Sequence, residues 1–107
     1  KRTEWCAAFV NAVLTESGVP NNTLHMHPYA ARSFLDWGTT VKEPIPGDLI
    51  IFPRGNISWQ GHVGFYISTT IINNTKYYYI LGGNQSNKVS IDLYRATRAL
   101  GIRRYSM

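Results

Sequence analysis

The order in which two periodicities follow one another constrains this chain most. "TEWCAAFVNAVLTESGV" carries Trp5, Ala8, Phe9, Ala12 and Val13 at helical spacing. Thr3 is placed to cap that helix, Glu4 lies in its first turn, and Gly18 with Pro20 ends it. "PYAARSFLDWG" reads as a second, shorter helix, with Pro28 at its first position and Gly38 just past its end. "TTVKEPIPG" is an extended loop, and the chain beyond it is strand-like. "DLIIFP" is a short buried strand, and "HVGFYIST" with "KYYYILGG" makes a hairpin turning at Asn73-Asn74. "KVSIDLY" and "GIRRYS" are further strands, with a helical turn at "ATRAL". Two helices followed by about five strands predict an α+β fold, with the N-terminal helices packed on an antiparallel sheet. The 107 residues fit one domain, 1–107, without repeats or low-complexity tracts.

Composition narrows the function classes. Net charge is +5, which draws the chain toward polyanions such as nucleic acid, an anionic membrane face or an anionic cell wall. The basic residues form no dense stripe; the nearest cluster is Arg95, Arg98, Arg103 and Arg104. With no recognisable nucleic-acid motif beside it, that distribution argues against a nucleic-acid partner. No apolar run approaches about 18 residues, so no membrane-inserting helix is expected. No signal peptide is visible, and the chain opens almost directly on a helix pattern, as a piece of a longer protein would. A single cysteine excludes an internal disulfide and a Cys-rich zinc site. His25 and His27 form an H-x-H pair without an evident third ligand, and no acidic loop suits calcium. No metal or other cofactor is therefore expected.

Cys6 is left with two roles, a small buried hydrophobe or a reactive thiol. Its place near the start of a helix favours the second: the helix N-terminus raises the thiolate fraction and offers free N–H groups to an oxyanion. His62, in "GHVGFYI", begins a strand expected beside that of "DLIIFP". A helix packed on this sheet can bring positions 6 and 62 together, and a Cys–His pair needs contact in space only. A third group must orient the imidazole. "LGGNQSN" follows the strand that pairs with the His62 strand, so Asn84 or its neighbour Gln85 can offer an amide oxygen. The two would point to opposite faces of a regular strand, so one of them serves. Asp48, after Pro46-Gly47, is placed to stabilise the turn into its strand. Exposed rings among Trp5, Trp59, Tyr66 and Tyr78, together with Gln85, are candidate substrate contacts; the rings are equally suited to a core.

In order along the chain, "WCAAFVNAVL", "ARSFLDWG", "PGDLIIFPRG", "GHVGFY", "LGGNQSNKVSI" and "GIRRYS" resemble a phage and bacterial family of small cell-wall hydrolase domains. That family is related to the CHAP and NlpC-type cysteine peptidases. The resemblance implies a papain-like α+β fold and cleavage of an amide bond in bacterial peptidoglycan, as an N-acetylmuramoyl-L-alanine amidase or an endopeptidase. By position it makes Cys6 the nucleophile, His62 the base and Asn84 the orienting residue. CHAP domains often carry an acidic residue two before that Asn, where this chain has Gly82. Family members also usually have another helical stretch before the Trp-Cys segment. The implied setting is a monomer within a larger phage or secreted protein, acting at the cell wall from a secreted, periplasmic or virion-associated position. The competing readings are an acyl transferase on the same scaffold and a wall-binding or virion structural module without activity.

Overall fold

The computed structural model describes residues 2–18, 34–53, 61–83 and 88–105. Its helix, α1, spans Arg2–Glu16. Gly18 ends it in the left-handed region at φ +75°, while Ser17 N–H donates to the Val13 carbonyl and Gly18 N–H to that of Thr15. Cys6, Val10 and Leu14 recur every fourth residue and so share one face. All three are buried, against Leu49, Ile51, Val63 and Phe34. Burying Val10 and Leu14 contributes about 1.5–3 kcal/mol each. Phe9 flanks this row, edge-on to Phe65 at 6.3 Å between ring centroids.

Six strands form one antiparallel sheet: β1 (Thr39–Thr40), β2 (Leu49–Pro53), β3 (Gly61–Ile72), β4 (Thr75–Gly83), β5 (Val89–Arg95) and β6 (Gly101–Arg104). Their order across the sheet is β1-β6-β2-β3-β4-β5. The central strand β2 is apolar without alternation because both of its faces are covered. Leu49 and Ile51 meet α1; Ile50 and Phe52 join Tyr66, Tyr78, Ile80 and Ile102 on the other face. Tyr94, Ala96 and Ala99 pack against that second cluster. β3 and β4 form a hairpin whose two turn residues, Asn73 and Asn74, have φ of 50° and 63°. Such a two-residue turn with both φ positive matches the twist of the strands it joins.

The expected α+β, papain-like arrangement of N-terminal helices over about five strands is overturned. Among the described residues the chain has one short helix and six strands and is mostly β. The described part of the expected second helix is a single 3₁₀ turn, Phe34–Asp36. Gly38 then turns the chain at φ +66°, so close to β6 that a Cβ there would lie 2.6 Å from the Arg104 carbonyl oxygen. The chain is thereby drawn onto the sheet, and Thr39-Thr40 pair with Arg104 and Arg103 as the extra strand β1. Helical spacing over so few residues does not separate a helix from a packed turn. The helix stripe is corrected too. Ala12 is exposed and Val13 only half-buried, because the row of Cys6, Val10 and Leu14 faces the sheet instead.

Candidate active site

α1 and β3 bring Cys6 to the segment that carries His62. Cys6 is fully buried, and its Sγ lies 4.0 Å from the carbonyl oxygen of Gly61, the residue before His62. α1 begins at Arg2, so Thr3 lies inside it rather than capping it, and Cys6 is its fifth residue. Only the first turn of a helix leaves N–H groups without intrahelical partners. The helix-end position expected for Cys6 is thus two residues off, past the first turn, and its approach to β3 is what sets its surroundings.

His62 opens β3 opposite Phe52 of β2, as the sequence pattern anticipates for neighbouring strands. It is buried, with 6% of its surface exposed. Strand alternation turns His62 to the face of Ile50 and Phe52, whereas Val63 joins Cys6 on the face of α1. The approach of Cys6 to His62 therefore runs through the start of β3 rather than across one face. The imidazole stacks on Tyr94 at 5.1 Å between centroids and 12° between planes. Tyr94 in turn stacks on Phe52 at 4.6 Å and 21°. The Nε2–Cε1 edge of the imidazole faces β4: a Cβ on Gly82 would lie 3.2 Å from Nε2 and 3.3 Å from Cε1. Sequence reasoning missed Tyr94, because nothing in "KVSIDLY" marks one tyrosine as the ring that reaches His62 from β5.

Asn84, Gln85, Trp59, His25 and His27 lie outside the described residues, as does the side chain of Trp5. Tyr66 and Tyr78 are core residues, edge-on to each other at 5.4 Å. Two members of the arginine cluster brace the fold. Arg103 donates to the Leu35 carbonyl and to Thr40 Oγ1. Arg104 donates from Nε to Asp48 Oδ1 and from Nη2 to Oδ2, both at 2.8 Å. Asp48 Oδ2 also accepts the Ile45 N–H at 2.8 Å, the turn-stabilising role expected of it. The hydrogen bond to Asp48, with that carboxylate's charge, raises the Arg104 pKa against the opposing effect of burial. A cavity of about 420 Å³ between the end of α1 and Trp37, Arg104 and Tyr105 contains neither Cys6 nor His62 in its lining.

The family model of the CHAP domain matches residues 1–84. The chain belongs to the CHAP domain family. No curated protein gives a significant match to it. CHAP domains are in general hydrolases that act on peptidoglycan, so the cell wall is where this CHAP domain acts. Among the described residues, no helix is long and apolar enough to cross a membrane. The match spans α1 and β1 to β4 and stops before β5, the strand that carries Tyr94.

Proposed function

We propose that this CHAP domain is a cysteine hydrolase that cleaves an amide bond of peptidoglycan, with Cys6 as nucleophile and His62 as base. One observation carries the reading: the only cysteine of the chain lies 4.0 Å from the carbonyl that leads into His62. The orientation of the imidazole supports it. Nε2 faces β4, the strand that leads to Asn84. Asn84, or Gln85 beside it, holds the Nε2 side and fixes the tautomer. Trp5 and Trp59 contact the substrate.

In the reaction, His62 takes the thiol proton and the sulfur attacks the amide carbonyl. The tetrahedral intermediate collapses as His62 returns the proton to the leaving amine. Water, activated by His62, then hydrolyses the thioester and frees the thiol. Complete burial of Cys6 among apolar side chains favours a second reading, a wall-binding module without activity, which needs no reactive thiol.

The pH dependence of Cys6 alkylation, in the native protein and in His62→Ala, separates the two. A catalytic pair gives an apparent pKa below about 8.5, the free-cysteine value, and the variant loses that shift. A thiol inert at neutral pH in both proteins sinks the hydrolase and leaves the binding module. Digestion of purified peptidoglycan with mass analysis of the fragments then assigns the bond, amidase or endopeptidase.

A further inference from the structure

We infer that Tyr94 is a positioning residue for His62: its ring sets the plane of the imidazole. The inference rests on the proposed role of His62 as base and goes beyond it by naming what holds that base. The three rings of Phe52, Tyr94 and His62 form one continuous stack, with successive centroids 4.6 and 5.1 Å apart and successive planes within 21° and 12°. They come from three strands, β2, β5 and β3. Phe52 is 1% exposed and fixed in the core, so it provides a rigid floor beneath Tyr94. Near-parallel rings at these spacings attract each other beyond the area they bury. On the edge of the imidazole that carries Nε2 and Cε1, Gly82 leaves just enough room for the ring: an added Cβ would fall 3.2 Å from Nε2. The imidazole is thus held in a slot, with the Tyr94 face on one side and the bare Gly82 backbone at its edge. A base must present its nitrogen in one direction, and a small misplacement of such a group costs up to about 100-fold in rate.

The stack requires the aromatic face of Tyr94, not its hydroxyl. The 107-residue chain and its variants Tyr94→Phe, Tyr94→Leu and His62→Ala are assayed on solubilised peptidoglycan, with folding checked by circular dichroism. Tyr94→Leu is expected to lower kcat roughly 10- to 100-fold with KM within about twofold, because the lost term acts on the reacting group and not on substrate binding. Tyr94→Phe is expected to rescue kcat. An independent readout is taken on the native protein and does not depend on the activity of any Tyr94 variant. Ring protons of His62 lie over an aromatic face, so their resonances, assigned by their loss in His62→Ala, are expected upfield of those of an exposed histidine. Three results overturn the inference. One is a folded Tyr94→Leu with native kcat while His62→Ala is dead. A second is a Tyr94→Phe variant as impaired as Tyr94→Leu. The third is a native protein whose His62 protons show no upfield displacement. Full activity in His62→Ala overturns the base assignment itself and the positioning role with it, so the two failures are told apart.

Discussion

At the scale of single residues, the backbone of Gly82 decides how closely β4 can approach the imidazole. A methyl group there would press on Nε2 and Cε1 of His62 at 3.2 and 3.3 Å, so the ring must move by a few tenths of an ångström. Gly82→Ala is expected to lower peptidoglycan hydrolysis about tenfold, through displacement of the proposed base. Its thermal stability should stay within about 1 kcal/mol of the native protein, since removing a glycine also lowers the entropy of the unfolded chain. Native activity in a folded Gly82→Ala would show that the imidazole has slack at that edge.

Asp48 acts differently. It is 3% exposed, and its carboxylate accepts from Ile45 N and from two nitrogens of Arg104. Asp48→Ala orphans the Ile45 N–H and releases a half-exposed arginine that water can recover. The expected loss is about 2 kcal/mol of unfolding free energy in a urea titration, with the alkylation behaviour of Cys6 unchanged. The arginine of the pair adds no pH dependence near neutrality. A pKa raised on folding gives stability that is complete below the unfolded value and is lost only as pH climbs through the folded value, far into the alkaline range.

At the scale of elements, the strands were the legible part and the helices the less legible one. "DLIIFP", "HVGFYIST", "KYYYILGG", "KVSIDLY" and "GIRRYS" each fall on an observed strand, because β-branched and aromatic runs cut by turn residues leave few alternatives. β1 could not be read: two threonines carry no period and become a strand only through β6. The apolar stripe of α1 was misplaced because Trp5, Ala8 and Ala12 match the helical period as well as Cys6, Val10 and Leu14 do. Which row is buried depends on where β2 and β3 lie. For the candidate site, the pairing of the His62 strand with "DLIIFP" could be picked out in the sequence, and Cys6 and His62 could be nominated by residue type. The stack through Tyr94 could not, since it depends on how far the sheet curls. The hairpin turn was read correctly and can be improved. Asn74 sits at φ 63°, which asparagine tolerates and glycine adopts freely. Asn74→Gly is expected to add about 0.5 kcal/mol, seen as a higher melting temperature. A lower one would mean that the Asn74 side chain contributes more to the turn than its backbone strain costs.

At the scale of the whole molecule, the family match and the folding unit have different limits. The match ends at residue 84, which leaves β5 and β6 outside it. β6 is not an appendage, however. It lies between β1 and β2, pairing Ile102 with Ile50 and Arg103 with Leu49 on one side and with Thr39-Thr40 on the other. Its Ile102 is part of the core on the face away from α1, and its Arg103 and Arg104 tie down Leu35, Thr40 and Asp48. A chain cut after Asn84 loses this strand, leaves one edge of β2 unpaired and strips β1 of its partner. It also loses Tyr94, and with it the stack on His62. Domain stabilities of about 5–15 kcal/mol cannot absorb the loss of an inner strand. A 1–84 fragment is therefore expected to show no cooperative thermal transition by circular dichroism and no activity, whereas a 1–105 fragment keeps both. Cooperative melting of the 1–84 fragment would place the folding unit within the matched residues and reduce β5 and β6 to a cover. Melting without activity would assign those two strands to the chemistry alone.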